Sequence, residues 1–268
     1  MDAFISLFHL PPETVAVLAA VSFVAAIVDS IAGGGGLLNV PAMMLAGLPP
    51  VAAVATNKLQ GTFGVLSSTL TYARAGMIDM RGMRVPFLAS AGGAAMGAIV
   101  AQIIPVTIVR TIVPFILIAL ALFVAFSPRL TDAESNARLG ILPYALGFAA
   151  SIGFYDGFFG PGGGTFFFIT LILLAGQGVT RAAANAKFLN LASNAGALAL
   201  FSISGHIYWA LGLVLGIAAF AGAKIGANAA LRRGAGLIKP LVVVVSTLMA
   251  LRLMIDRSHP IGAWLAGQ

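Results

Sequence analysis

Two acids and two amines stand at matching places inside otherwise apolar sequence. Asp29 opens the stretch DSIAGGGGLLNVP and Asp156 opens DGFFGPGGGTFFF, while Lys58 lies in ATNKLQG and Lys187 in NAKFLN. The chemistry open to such a set is recognition of an anion. Glycine allows positive φ and lets a ligand approach the backbone, and a helix that starts straight after glycines offers unpaired N–H groups at the positive end of its dipole. Gly34, Gly35, Gly36 and Leu37 are the candidate donors of the first stretch, and Gly162, Gly163, Gly164 and Thr165 those of the second, the Thr165 hydroxyl adding one more. Pro161, lacking an N–H, removes one donor from the second run.

Lys58 and Lys187 would complement the negative charge. An ammonium deep in a spanning helix costs about 2.5 kcal/mol or more, so it faces a cavity or a partner. Near them stand Thr56, Asn57 and Gln60, and Asn185, Asn190, Ser193 and Asn194. Asn190 and Asn194 share a helical face with Lys187. Asn57, Asn185, Asn190 and Asn194 join the candidate binding set. Asp29 and Asp156 end the runs before the glycines, where the negative end of a helix disfavours charge, which suits a coupling group that takes up a proton. A plainer reading also stands: the glycines only let helices pack closely, and the lysines snorkel or form buried ion pairs with the aspartates.

Other chemistries find no support. With no cysteine there is no disulfide, thiolate metal site or thiol nucleophile. The three histidines are scattered, without metal-ligand spacing. No GKS or GKT follows the glycines and no HExxH or GxSxG occurs, so neither a phosphate loop nor an intramembrane enzyme is indicated, and no cofactor is called for.

The elements that must position these residues are membrane helices. Of 268 residues 60% are hydrophobic and 9% charged, and the mean hydropathy is +1.02, outside the balance of a soluble domain. The net charge of +7 falls mainly in short loops and reports orientation rather than nucleic-acid binding. The first apolar run, lacking a basic flank, reads as a retained helix. Long helices are expected at Thr14–Ala32, Val51–Ala73, Arg84–Ile104, Val106–Phe126, Leu139–Tyr155, Thr180–Ile203, Ile207–Leu231 and Leu237–Ile255. Leu37–Ala46 and Thr165–Leu174 span only about half of a 30 Å hydrocarbon core at about 1.5 Å per residue.

The chain is also internally repeated. A shift of 129 lays Leu45–Lys58 on Leu174–Lys187, and one of 127 lays Asp29 and Gly33 on Asp156 and Gly160. The polar stretch 127–138 divides a first repeat, 1–126, from a second, 139–268. Counting five passes per repeat with both termini outside puts Arg74, Arg81, Arg84, Arg129, Arg138, Arg181, Arg232, Arg233 and Lys239 on the cytoplasmic side, leaving Arg110, Arg252 and Arg257 near the outer face. An odd number of passes inverts the second repeat, so the expected fold is an all-α polytopic membrane protein of two inverted repeats, eight long helices plus two short broken ones.

The twin breaks DSIAGGGG and DGFFGPGGG, followed by ATNK and NAKFLNLASN and then by GMID and GHIY, resemble the sulfite exporter TauE/SafE family, also called the toluene sulfonate uptake permease family, over almost the whole chain. The resemblance implies an inner-membrane carrier of sulfite, a sulfonate such as sulfoacetate, or a related organic anion. It places the family's glycine motifs at Gly33–Gly36 and Gly160–Gly164 and its Asn-Lys helix starts at Asn57, Lys58, Asn185 and Lys187. The expectation is a secondary transporter working by alternating access, coupled to protons or to the membrane potential, with the lipid bilayer and a small anion as partners and room for a homodimer. A channel-like anion conductor and a non-transporting assembly factor are the alternatives.

Overall fold

The computed structural model describes residues 10–103 and 132–238, together with Phe8, Pro240, Leu241 and Val244. The expected helix Val106–Phe126 and most of Leu237–Ile255 lie outside the described residues, as do 127–131 of the linker and Arg110, Arg129, Lys239, Arg252 and Arg257.

The described chain is helical and, among the described residues, contains no strand. Helix α1 spans Pro12–Ala32, the short α2 Gly36–Leu45, α3 Pro50–Arg74 and α4 Arg84–Ile103. A turn at Ile141–Pro143 and a π-helical segment at Tyr144–Ala149 lead into α5, Ala150–Phe158, followed by the short α6 Gly163–Leu173, α7 Val179–Ser204 and α8 Trp209–Arg233. Proline at the first helical position starts α1 and α3, where its missing N–H would be unpaired anyway. Left-handed Gly205 (φ 74°) ends α7. The stretch expected as a uniform helix from Leu139 to Tyr155 is interrupted by the π turn and runs on to Phe158.

Among the described residues three helices, α1, α4 and α8, have the length and apolarity to cross a membrane, and their outward faces carry Val17, Val24, Leu88, Met96, Ile217 and Ile225. Helices α3 and α7 are as long, at 25 and 26 residues, but bury the polar stripe. They form the interior because each carries a lysine that hydrocarbon would not tolerate.

The two halves interlock. Helix α8 packs on α1 and α3, and α4 packs on α5 and α7. Glycine permits the closest of these approaches: Gly93 and Gly97 lie against the carbonyls of Ala150 and Phe154, and Gly222 and Gly226 against those of Phe23 and Ile27. A Cβ at any of the four would overlap a carbonyl oxygen. The shifts of 129 and 127 carry the first set of contacts onto the second, so one interface is made twice, each time between halves. Two hydrogen bonds repeat in the same way. The Tyr208 N–H donates to Thr56 Oγ1 at 3.1 Å and the Asp79 N–H to Asn185 Oδ1 at 3.2 Å. The start of α3 thus lies beside the end of α7, and these two equivalent helices run in opposite directions.

Residues 132–138 are folded onto the α6–α7 loop. Ser135 and Arg138 donate their N–H groups to the carbonyls of Gly176 and Leu174, and Arg181 pairs with Glu134 at 2.8 Å. Asp132 accepts from the Thr180 N–H and hydroxyl at 2.9 and 2.8 Å and from the Ala235 N–H at 3.1 Å. Burial pushes its carboxyl up, but these three hydrogen bonds together outweigh that and hold it below its ordinary value.

Candidate functional site

Both apolar runs break at glycines with positive φ: Gly33 (82°) and Gly34 (95°) after α1, Gly160 (96°) and Gly162 (90°) after α5. Only glycine adopts such angles without strain. The two breaks meet. A Cβ on Gly33 would lie 2.7 Å from the backbone nitrogen and hydroxyl of Thr165, and one on Gly36 would lie 3.4 Å from Pro161 Cα. Pro161 is held by its carbonyl, which accepts the Tyr155 hydroxyl at 2.7 Å.

Around this junction the four charged residues pair crosswise between the halves. Lys58 Nζ is 2.9 Å from Asp156 Oδ2, and Lys187 Nζ is 2.8 Å from Asp29 Oδ2. Asp156 Oδ2 also accepts the Ser193 hydroxyl at 2.6 Å and Asn190 Nδ2 at 3.4 Å. Asp29 Oδ1 accepts the Gly35 N–H at 2.9 Å. The expectation set both acids against the C-terminal ends of their own helices. The plainer reading of buried ion pairs is what the structure shows: each carboxylate reaches the other half's lysine, and Asp29 also takes an amide at the positive end of α2. A buried ammonium without a counter-charge is far costlier than one that is paired and hydrogen-bonded. The pairs are not equally enclosed: the side chains of Lys58, Asp156 and Lys187 are 1–3% exposed and that of Asp29 is 21% exposed.

A cavity of about 40 Å³ opens beside the pairs, with room for about three waters. Gly34, Gly35, Gly36, Asn57, Lys58, Gly162, Gly164, Asn190 and Asn194 line it together with Asp29 and Asp156. Five expected residues lie outside this lining. Lys187 stands behind Asp29. The Gly163 N–H donates to the Gly160 carbonyl, and the Gly163 Cα packs on the Asp156 carboxylate. Thr165 packs on Gly33, and the Leu37 N–H turns to the Gly34 carbonyl. Asn185 is placed farthest from expectation: it accepts from Asp79 and donates to Gln177 Oε1 at 2.9 Å, at the loop end of the bundle. It is two residues from Lys187, which on a helix is nearly the opposite face.

Two further polar residues of the lining, Asn39 and Gln60, have carboxamides 3.4 Å apart; Gln60 stood among the polar neighbours of Lys58 in the sequence, and Asn39 was passed over. The signal was present for Asn39, a lone carboxamide in an apolar half-helix. Ser193, which anchors Asp156, belongs with them. Asn57 Oδ1 is buried without a hydrogen-bond partner. Among the described residues, no cluster of metal-ligating side chains occurs.

Bilayer-length apolar helices, two half-length helices and charges paired in the interior define a polytopic helical membrane protein. The chain belongs to the sulfite exporter TauE/SafE family, whose model matches residues 18–253. It is 45% identical over 258 residues to the "Probable membrane transporter protein ORF9" of Sinorhizobium sp, covering 96% of this chain and 97% of that one. It is 39% identical over 259 residues to the "Probable membrane transporter protein YfcA" of Escherichia coli K12, covering 97% and 96%. It is 28% identical over 239 residues to the "Probable membrane transporter protein YunE" of Bacillus subtilis strain 168, covering 79% and 86%. No solved structure matches the chain. The protein is a membrane transporter and not an enzyme.

Proposed function

We propose that this transporter moves a small anion, such as sulfite, a sulfonate of the size of sulfoacetate, or a related organic anion, across the inner membrane by alternating access, with protons or the membrane potential as the driving force. The observation that carries this reading is the meeting of the two glycine breaks beside two buried ammonium groups and a small polar cavity. An anion is the ligand that helix N-termini and ammoniums suit. The family name points the same way for the sulfur oxyanions.

Alternating access is supported by the repetition of the interface between halves and by the opposite directions of α3 and α7, which suit two inverted repeats rocking about one central site. The described basic loops suit a cytoplasmic end: Arg74, Arg81 and Arg84 flank Asp79, which bonds Asn185, while Arg138, Arg181, Arg232 and Arg233 flank the contacts of Asp132.

The test is a thermal-shift screen of the purified protein against sulfite, thiosulfate, sulfoacetate, methanesulfonate, taurine, benzoate and halides. A ligand of the folded state stabilises it by about 2.7 kcal/mol at a hundredfold excess over Kd. The expected result is stabilisation by a sulfur oxyanion, lost in Lys58→Ala and Lys187→Ala. Silence toward every anion would overturn the reading.

A further inference from the structure

The two ion pairs look alike in sequence and differ in surroundings. Asp156 is 3% exposed and its Oδ2 is fixed by three side chains, Lys58, Ser193 and Asn190. Asp29 is 21% exposed, lines the cavity, and is held by one ammonium and one backbone amide. That amide belongs to Gly35 at the start of α2, so the half-helix whose N-terminus would receive an anion already has one. A further observation at the same spot points to a ligand. Asn57 is 6% exposed, its carboxamide lies against the first residue of α2, and its Oδ1 has no partner, an acceptor that calls for a donor such as a bound water or a protonated carboxyl arriving with the anion.

Charge decides what an incoming anion must do. The two lysines and two aspartates sum to zero in a buried space, and an added anion leaves a net negative charge there, at a large desolvation cost. Among the described residues, no other group near Asp29 can absorb it. Helix α7 supplies Lys187, already engaged. Helix α3 supplies Lys58, engaged with Asp156, and Tyr72, whose hydroxyl donates to the Ser30 carbonyl at 2.9 Å. Helices α2 and α6 carry no titratable residue, and Lys224 of α8 is exposed.

We infer that the Asp29 carboxylate is the resident anion of the substrate site, and that an external anion takes over the Gly35 amide and the Lys187 ammonium only as Asp29 takes up a proton. Anion and proton then bind together, one for one, while the Lys58–Asp156 pair stays a fixed brace. This deepens the anion-transport reading and rests on it.

The probe is methanesulfonate, whose single charge stays constant between about pH 5 and pH 9, titrated into wild type, Asp29→Asn and Asp156→Asn. Wild-type affinity should fall about tenfold per pH unit on the alkaline side, as linkage to one proton requires. Asp29→Asn should bind as tightly as wild type at its best and lose the slope, and Asp156→Asn should keep the slope in whatever binding remains. Should Asp29→Asn not fold, proton uptake on binding to wild type in weak buffer decides, with about one proton per anion expected. A flat wild-type profile, no proton uptake, or a slope retained in Asp29→Asn would overturn the inference while leaving anion transport standing. Absence of any anion binding to wild type would remove both.

Discussion

Lys58 of the first half finds its counter-charge 2.9 Å away on Asp156 of the second, although Asp29 of its own half lies closer along the chain. The equivalent lysine and acid, Lys187 and Asp29, make the same exchange in reverse. The paired charges therefore tie the halves to each other rather than bracing each half internally.

Removing one member of the Lys58–Asp156 pair strands its partner. Lys58→Met and Asp156→Leu should each lower the stability by about 3–5 kcal/mol, while the double variant should cost clearly less than either. Apparent melting temperatures of the four proteins of the cycle, measured in one detergent, check this. Additive losses would mean that the pair is not coupled.

The glycines of α4 separate by what they touch. Gly97→Val would drive a side chain into the Phe154 carbonyl and the Phe158 backbone, and Gly92 has open space around its Cα. Gly97→Val should abolish the monodisperse folded protein, and Gly92→Ala should be neutral or stabilise by up to about 1 kcal/mol through helix propensity. Size-exclusion profiles with a heating step read both.

Asn185 holds a loop rather than an anion. Asn185→Ala removes its bonds to Asp79 and Gln177 and should cost about 1–3 kcal/mol, with anion affinity changed by less than about twofold. A loss of affinity well beyond this in a folded variant would return Asn185 to the site.

Asp132 gives the loop end a pH dependence of known sign. Its folded-state value lies below the unfolded one, near 3.9 for an ordinary aspartate. Its contribution is therefore present above that value and disappears as pH falls through the lower, folded value. Asp132→Asn should melt slightly below wild type at neutral pH, and the two curves should converge in acid below about pH 4. A gap that widens on acidification would contradict the assignment.

Much of the fold was legible because proline and glycine punctuate it. Pro49 and Pro50 start α3, Gly205 ends α7, and the glycine runs set off the two half-helices within about a turn of where they stand. The four charges were legible too, since ionisable residues in apolar runs are few and costly. Their pairing with each other was one of two readings the sequence offered, but which lysine meets which aspartate was not legible, because periodicity tells which face a residue occupies and not which helix it meets. Asn185 was grouped with Lys187 by closeness in sequence, against the helical spacing that parts them. Asn39 and Gln60 come together from α2 and α3 at a single point, and a single contact leaves no repeating pattern to read. The glycine contacts of Gly93 and Gly97 with α5 were written twice in the chain, yet small residues are too common in membrane helices to stand out.

The crosswise pairs also impose an order on biogenesis. Asp29 and Lys187 lie 158 residues apart, and Asp156 follows Lys58 by roughly 100 residues, which at about 5–20 residues per second means many seconds of synthesis. Throughout that interval neither Lys58 nor Asp29 has the partner it takes in the folded protein. The four charges therefore reach their final arrangement only after Lys187 has been made, so the charged centre of the fold is among the last features to be completed.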